Sequence, residues 1–278
     1  MTFHRLIFRR ITFGIASVSA CSGFMTLLSA EEPVAKSVFQ AVEFNHISLD
    51  TTVPERASEF YQTHFGMTPV AHGRDGGDSF LHFHSGFLNL RPAGTAGLNH
   101  FCLGLEEFNV DAFYTMLAAM DLDPVVRGGG NLLHVNDPDG INVQLQEIAH
   151  GYGRTRDQLD NADNGTLTAV ELRSICLGVT DVARSRDFYH EMFGLQVVEG
   201  ADSTDRCVLA VGKSFVELRK ADEPGMIHYG YAVSGANVES LATDLGNAGV
   251  DVVASGDENV TAIHDSEQLT VRISSARE

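Results

Sequence analysis

The chain has 278 residues, 44% of them hydrophobic, and a formal net charge of −18 at pH 7. This length suffices for roughly two domains of common size, and the hydrophobic share is typical of globular proteins with a core. Such an acidic balance argues against nucleic acid and against anionic membrane surfaces as partners.

The first thirty residues have the pattern of an export signal. A basic start precedes a mostly apolar run that ends near Leu28, and Ala30 offers a cleavage point. We therefore expect residues 1–30 to be a signal peptide, followed by a lead-in over 31–41, and an exported protein, periplasmic or extracellular. The segment Val18-Ser19-Ala20-Cys21 also fits a lipoprotein box, so a lipid anchor on Cys21 is the alternative.

The cysteines beyond the signal are Cys102, Cys176 and Cys207. An odd number at wide spacing does not form a disulfide framework. Cys102 and Cys176 lie in strand-like runs, so we expect them to be buried free thiols.

The first structural unit begins with the alternating run Phe44–Leu49. A helix is predicted over Pro54–Phe65, because apolar residues recur at three- and four-residue spacing, with proline suited to its first turn and Gly66 to its end. Three short strands should follow, separated by glycine-rich turns, at Pro69–Ala71, Phe80–His84 and Phe87–Arg91.

This order of one strand, one helix and three strands recurs three times. The second unit has the strand Leu98–Leu103, the helix Val110–Met120 and strands at Val125, Leu132–Val135 and Ile141–Gln146. The third has the strand Leu172–Leu177 and the helix Val182–Phe193, with a last strand that ends in Leu218. The fourth has the strand Met226–Tyr231, the helix Val238–Ala248 and the last strand Leu269–Ile273.

The first pair of units matches the second pair at one constant offset in residue number, the offset between His100 and His228. The other landmarks matched by this offset are Phe60-Tyr61 with Phe188-Tyr189, Phe65-Gly66 with Phe193-Gly194, Leu90 with Leu218 and Asp137 with Asp265. Such a constant offset indicates a tandem duplication. Asp137 and Asp139 are interpreted as turn-forming residues.

The segment between the two halves has the spacing of a calcium-binding loop over Asp160–Glu171. It places an acid at position 1, Gly165 at position 6 and a glutamate at position 12. Ala162 at position 3 offers no ligand, and a strand starts near Val170 where a helix should follow. A calcium site and a simple Asx-Gly turn both remain open.

The chain resembles the vicinal oxygen chelate (VOC) superfamily, whose members include glyoxalase I, bleomycin and fosfomycin resistance proteins, epimerases and extradiol dioxygenases. The residues that carry the resemblance are Asn45-His46-Ile47-Ser48-Leu49, Phe60-Tyr61, Phe65-Gly66-Met67, Asn99-His100-Phe101 and Asp137-Pro138-Asp139-Gly140.

The resemblance implies an α+β fold in which four βαβββ modules form two tandem, half-open barrels. The N-terminal VOC domain would span 42–149, the linker 150–169 and the C-terminal VOC domain 170–276. In the superfamily, the first and last strands of each module supply ligands to a divalent metal in the barrel cavity. In the N-terminal domain these positions hold His46, Asn89, His100 and Gln144; in the C-terminal domain they hold Ser174, Glu217, His228 and Arg272.

We therefore expect His46 and His100 to bind a divalent metal (Fe, Zn, Ni or Mn), with Gln144 as a weak ligand. The alternative is a pair of hydrogen-bonded histidines with no metal. Because the amides of Asn89 and Gln144 cannot abstract a proton, His134 on the strand before the turn is the candidate catalytic acid or base. His82 and His84 share one strand face, and we expect at least one of them to be solvated.

The C-terminal domain is predicted to be degenerate. Ser174 replaces a first-strand histidine, and the guanidinium of Arg272 would repel a cation. We expect Glu217 and Arg272 to form an ion pair where the metal would lie.

Three functions remain open from the sequence. The first is an exported, metal-dependent VOC enzyme, a glyoxalase-type lyase or isomerase or an extradiol-type dioxygenase, acting on a small oxygenated molecule. The second is a non-catalytic protein that sequesters a small molecule. The third is a structural tandem barrel without a site.

Overall fold

The computed structural model describes residues 37–70, 77–84, 86–148, 165–234 and 238–276. Two regions with sequence predictions lie outside the described residues. They are the predicted signal peptide with Cys21 and the adjoining residues 31–36, and residues 160–164, which are the first five positions of the calcium-loop pattern. Position 12 of that pattern, Glu171, lies in a strand and contacts Ser214 and Arg173. None of the helices among the described residues has the length and hydrophobicity of a membrane-spanning segment.

The N-terminal half forms one eight-stranded sheet with two helices. Its elements are β1 (Ala41–Thr51), α1 (Pro54–Phe65), β2 (Thr68–Val70), β3 (Ser79–Phe83), β4 (Gly86–Pro92), β5 (Gly97–Leu105), α2 (Val110–Ala119), β6 (Val125–Arg127), β7 (Leu132–Asn136) and β8 (Asn142–Glu147). The strand order is β2-β3-β4-β1-β5-β8-β7-β6.

The C-terminal half repeats this arrangement. Its elements are β9 (Thr168–Val179), α3 (Val182–Phe193), β10 (Gln196–Asp202), β11 (Arg206–Val211), β12 (Ser214–Lys220), β13 (Gly225–Ser234), α4 (Val238–Asn247), β14 (Asp251–Val253), β15 (Val260–His264) and β16 (Thr270–Ser275). The strand order is β10-β11-β12-β9-β13-β16-β15-β14. β9 therefore begins inside the predicted linker.

Each sheet joins two βαβββ modules at its centre. The first and last strands of a module are parallel neighbours, β1 with β4 and β5 with β8, and the two modules meet through antiparallel pairing of β1 with β5. This topology places the four strands that carry the family's ligand positions side by side. The strand orders are linear and the sheets are not closed, so the predicted pair of half-open barrels is confirmed.

Local sequence explains where these elements begin and end. Pro54 occupies the first turn of α1, and Gly66 ends that helix with a positive φ of 62°, as Gly194 ends α3 at 72°. In β1, Ile47 and Leu49 are fully buried in the hydrophobic core. The alternating His46 consequently lies on the opposite, concave face.

The two halves contact each other through reciprocal bonds at the two Asp turns. Tyr189 of the C-terminal half donates a hydrogen bond to Asp137 at 2.8 Å, and Tyr61 of the N-terminal half donates one to Asp265 at 2.5 Å. The two pairs occupy equivalent positions of the tandem repeat. The turn aspartates therefore also join the halves, a role that their turn chemistry alone does not predict.

Candidate functional site

A cavity of 610 Å³ opens on the concave face of the N-terminal sheet. All four positions expected from the family resemblance line it, together with the candidate acid or base His134. The other lining residues are Asp78, Phe80, Arg91, Asn99, Arg127, Gly128, Leu132 and Asn142.

His46 and His100 approach each other closely in this cavity. Their Nε2 atoms are 3.3 Å apart, and both imidazoles are at least nine-tenths buried. The ring of Phe87 stacks on His46 with a centroid distance of 4.0 Å, which restricts the orientation of this imidazole. The Nδ1 atoms face away from each other, toward Asn45 Oδ1 at 3.0 Å and Asn99 Oδ1 at 2.9 Å.

The asparagine partners determine which imidazole nitrogen carries the proton. Asn45 donates its Nδ2 to the Glu43 carboxylate at 3.0 Å, and Asn99 donates its Nδ2 to the Asp50 carboxylate at 3.0 Å. An ionised carboxylate only accepts hydrogen bonds, so each amide must turn its carbonyl oxygen toward the imidazole. Nδ1 of each histidine is therefore the N–H donor, and each Nε2 presents a lone pair to the cavity.

Two lone pairs on nitrogens 3.3 Å apart repel each other unless a cation lies between them. Burial, followed by the proximity of the other histidines, holds the pKa of His46 well below 6.5. Burial and the neighbouring His134 lower the pKa of His100 to about 3, so a shared proton is disfavoured at neutral pH. Two nitrogens bound at about 2.05 Å to one tetrahedral metal ion lie about 3.3 Å apart, which matches this geometry.

A chain of amides orients Gln144 toward the same point. Gln144 donates to Gln146 Oε1 at 2.9 Å, and Gln146 donates in turn to Asn45 Oδ1 at 2.8 Å. Glu43 fixes the orientation of Asn45, and Asn45 in turn fixes Gln146 and Gln144. The NH2 group of each of these three amides is therefore turned away from the cavity. The Gln144 oxygen is left beside His100.

Asn89 completes a set of neutral ligand atoms. Its Oδ1 is buried and has no hydrogen-bond partner among the described residues, an arrangement that costs free energy unless a bound group pairs with it. The four family positions thus offer two imidazole nitrogens and two amide oxygens, which suits a divalent metal of borderline softness.

His134 lies next to this set. Its ring centroid is 5.0 Å from that of His100, and its Nδ1 is 2.8 Å from Asn142 Oδ1. Burial lowers its pKa below 6.5, so the imidazole is neutral at pH 7 and can accept a proton at Nε2. The structure therefore brings all the predicted site residues, His46, His100, His134 and Gln144, to one cavity.

Several lining residues were not identified from the sequence. Asp78 is the only carboxylate among the described lining residues, and Arg91 and Arg127 add positive charge. Strand alternation could have identified Arg91, since it lies two residues after Asn89 on β4 and shares its face. Of the two histidines on β3 and its turn, His82 is buried and His84 is exposed, as expected for one of them.

The C-terminal cavity is built differently, and the predicted Glu217–Arg272 ion pair is wrong. Glu217 instead accepts from Arg206 at 2.6 Å and Arg219 at 2.8 Å, because β11 pairs with β12 and sets these two arginines opposite each other. Arg272 has its acidic contact with Asp257, at 4.0 Å. Arg272 and Glu217 still line the same cavity.

Cys176, Glu217 and His228 place their ligand atoms within 4.8 Å of one another in that half. Geometry alone would allow a metal ion there, but the electrostatics oppose one. Burial, then Glu217, raises the pKa of the Cys176 thiol to about 12, while burial and Arg272 lower the pKa of His228 to about 4. Because two guanidiniums already neutralise Glu217, this cluster offers a cation little negative charge. The predicted buried free thiols Cys102 and Cys176 are confirmed.

A family model matches about one third of the chain, within its C-terminal half. Residues 171–262 match the family model of the glyoxalase/bleomycin resistance protein/dioxygenase superfamily, the one that the residue patterns resemble. The resemblance to the vicinal oxygen chelate superfamily is confirmed. No curated protein matches the sequence.

Solved structures share the two-barrel VOC fold. The 2,3-dioxygenase LapB from Pseudomonas sp. KL28 is 14% identical with a TM-score of 0.70, over 87% of this chain and 94% of that one. A variant of homoprotocatechuate 2,3-dioxygenase from Brevibacterium fuscum is 16% identical with a TM-score of 0.69, over 88% and 74%. A Mn(II)-bound glyoxalase from Novosphingobium aromaticivorans is 16% identical with a TM-score of 0.68, over 86% and 84%.

Proposed function

We propose that this VOC protein is a metal-dependent enzyme whose site is the N-terminal cavity. His46 and His100 hold a divalent metal, with Gln144 and Asn89 as neutral oxygen ligands. The observation that carries the proposal is the pair of Nε2 atoms 3.3 Å apart, both deprotonated by the fixed asparagine contacts on Nδ1. The two solved dioxygenases and the Mn(II)-bound glyoxalase of the same fold support a metal-dependent reaction.

The substrate is a small molecule with neighbouring oxygen atoms, and the reaction is of the lyase or isomerase kind or of the dioxygenase kind. When bound, the metal acts as a Lewis acid that favours the deprotonated form of a substrate oxygen. Arg91 and Arg127 make the cavity positive, which also favours an anionic substrate. His134, neutral at pH 7, takes the proton at Nε2 while Asn142 keeps Nδ1–H in place.

The second candidate is sequestration of a small molecule without turnover. It is favoured by the ligand positions Asn89 and Gln144, which lack the carboxylate that a proton abstraction or an iron facial triad uses. The choice between the two functions depends on Asp78. This carboxylate lines the cavity and can supply the base or the negative charge that Asn89 and Gln144 lack, which would favour the enzyme.

The test is metal analysis of full-length protein purified without a chelating tag. We expect about one equivalent of divalent metal per chain in the wild type and none in His46→Ala/His100→Ala. The matched control, His190→Ala/His264→Ala, removes two histidines outside the cavity and should keep the metal. Wild-type protein without metal that binds a small ligand tightly would favour sequestration over the enzyme.

A finer prediction concerns the asparagines behind the histidines. Replacing Asn99 by alanine removes the acceptor that fixes the tautomer of His100, and we expect metal affinity to fall about 10- to 100-fold. Asn142→Ala, which removes the partner of His134 and an exposed contact with Asn136, should leave metal affinity within about threefold of wild type. Competition titration with a fluorescent chelator measures both, and equal affinities for Asn99→Ala and wild type would contradict the assigned tautomer.

Measuring substrate turnover distinguishes the dioxygenase reaction from the lyase or isomerase reaction. The metal-reconstituted protein should be mixed with an aromatic vicinal diol in the presence of oxygen, and separately with a hemithioacetal, and followed by absorbance. A change that requires both metal and His134, and is lost in His134→Gln, supports an enzyme. Metal retention in His134→Gln then distinguishes a proton-transfer role from a ligand role.

We also propose that the protein is exported, on the basis of the basic and apolar start of the sequence. The intact mass of protein expressed from the full sequence distinguishes the routes. Cleavage after Ala30 gives a chain that starts at Glu31, whereas lipidation gives one that starts at a modified Cys21.

A further inference from the structure

Another cavity, on the concave face of the C-terminal sheet, has a volume of 560 Å³. Hydrogen-bond donors dominate its polar lining. Three arginines line it together with hydroxyl and amide groups: Arg173, Arg206, Arg272, Ser174, Ser274, Ser275 and Asn259. The carboxylates among its described lining residues are Glu217 and Asp257.

Local charges leave this cavity with an excess of positive charge in a protein that is otherwise strongly acidic. Glu217 is shared by Arg206 and Arg219, so two guanidiniums face one carboxylate. Arg173 is paired with Glu171 at 3.1 Å. Arg272 has the 4.0 Å contact with Asp257, which is at the limit of an ion pair.

Arg272 is therefore a largely unpaired guanidinium in a confined place. Its side chain is 19% exposed, and within the described parts of the chain its guanidinium makes no hydrogen bond. A half-enclosed guanidinium without acceptors loses hydration without compensation, unless an anion binds to it. Its planar fork of donors fits two oxygens of a carboxylate or phosphate.

His228 provides a second, independent indication of a missing ligand. Both of its ring nitrogens are buried and lack a hydrogen-bond partner in the part of the chain that the structure describes, and the Glu217 carboxylate oxygen is 3.9 Å from Nε2. The residue is only 8% exposed and lines the cavity. A bound oxyanion would accept a hydrogen bond from whichever ring nitrogen carries the proton.

Gly230 keeps the floor between these donors open. It lies beside Ser174 on β9 and Arg272 on β16. A Cβ at this position would come within 2.9 Å of Ser174 Oγ and 3.0 Å of the Arg272 carbonyl oxygen. The absence of a side chain thus exposes the Ser174 hydroxyl at the foot of the arginine cluster.

We propose that the C-terminal cavity binds a small anion through a carboxylate or phosphate group, held by Arg272 with Ser174 and His228. This ligand occupies the place where a metal would lie in the other half, and the proposal does not depend on the metal site in the N-terminal cavity. Both groups are oxyanions with at least two oxygen acceptors, arranged in a plane in a carboxylate and as a tetrahedron in a phosphate.

The probes are inorganic phosphate and malonate, titrated into the full-length protein at constant ionic strength and followed by calorimetry and thermal unfolding. We expect saturable binding of at least one probe to the wild type, weakened at least about tenfold in Arg272→Gln. Arg186→Gln removes the same charge from the surface of α3 and should leave binding unchanged. Arg272→Lys retains a point charge but loses the planar fork, so it should weaken malonate binding more than phosphate binding.

Hydrogen exchange mapped with and without the probe tests the location if Arg272→Gln is unstable. Protection of β13 and β16 supports the proposal, whereas protection confined to β4 and β5 assigns the anion to the N-terminal cavity and overturns it. Absence of saturable binding to the wild type, or equal binding to Arg272→Gln, also overturns it. A metal-binding result would overturn the proposal as well. If His46→Ala/His100→Ala retains metal and the further substitution Cys176→Ser removes it, the C-terminal cavity holds a cation and not an anion.

Discussion

Lowering the pH from about 7.5 to about 5 should reduce the unfolding free energy of the metal-free protein by about 2 kcal/mol through His100 alone. The folded protein holds the pKa of His100 at about 3, mainly by burial, whereas the ordinary value is 6.5. The unfolded chain therefore takes up the proton first. Stability falls as the pH drops below 6.5, and this loss levels off only near the folded pKa.

Other buried histidines act in the same direction. Burial holds the pKa of His46 well below 6.5 and lowers that of His134, so each adds to the loss as the pH falls below that value. The raised pKa values of Asp137 and Asp265 oppose it, since burial favours their neutral forms. The pH dependence of the wild type is therefore interpreted by comparison with a variant rather than alone.

Urea denaturation with a chelator present, at a series of pH values, measures the effect. In His46→Gln/His100→Gln the dependence of unfolding free energy on pH should be flatter between about pH 6.5 and about pH 5, because neither glutamine titrates. Saturating metal should move the loss in the wild type to lower pH, since protons must then compete with the ion. Parallel curves for wild type and variant would show that these histidines are not held neutral.

The histidine cluster also shows what the sequence could and could not predict. Strand periodicity and the constant offset between the two halves predicted the modules, and with the family resemblance they placed His46 and His100 in one cavity. The Asn-His pairs at Asn45 and Asn99 were visible as motifs, but their role was not. That role depends on Glu43 and Asp50, whose contacts follow from side-chain geometry that no residue pattern encodes.

The predicted Glu217–Arg272 ion pair of the C-terminal cavity is wrong for a related reason. The offset placed Glu217 and Arg272 at equivalent ligand positions, and opposite charges suggested a pair. The pairing of β11 with β12 brings Arg206 to Glu217, and Arg219 lies two residues after Glu217 on the same face of β12. The partner of a charged residue is set by strand register, and the repeat fixes equivalent positions but not which of several arginines is nearest.

Removing the Asp265 carboxylate should destabilise the protein by about 4 kcal/mol or more. Asp265 Oδ2 accepts hydrogen bonds from Tyr61 at 2.5 Å and Tyr229 at 3.1 Å, and its Oδ1 accepts from the backbone of Glu267 and Leu269. Both tyrosines are fully buried. The Tyr61 and Tyr229 hydroxyls also bond to each other, so Asp265→Ala would leave one of these hydroxyls and the two backbone N–H groups without an acceptor. Each buried unpaired polar group costs about 1–3 kcal/mol.

The duplicated structure supplies its own matched control. Asp137 makes the equivalent bonds in the other half, with Tyr189 at 2.8 Å and two backbone amides, but the position equivalent to Tyr229 is Phe101. Because the hydroxyls of Tyr61 and Tyr229 can still pair with each other, Asp137→Ala strands the same number of groups, one tyrosine hydroxyl and two backbone N–H groups. It should therefore cost about as much as Asp265→Ala.

Urea denaturation at about pH 7.5 of Asp265→Ala, Asp137→Ala and Asp265→Ala/Tyr229→Phe tests this reasoning. Because Tyr229→Phe also removes the remaining partner of the Tyr61 hydroxyl, one hydroxyl stays without an acceptor, and the double variant should recover little of the loss. A loss below about 1 kcal/mol for Asp265→Ala would mean that water replaces the carboxylate in the contact between the halves. A double variant that recovers most of the loss would show that the two tyrosine hydroxyls do not pair with each other once the carboxylate is gone.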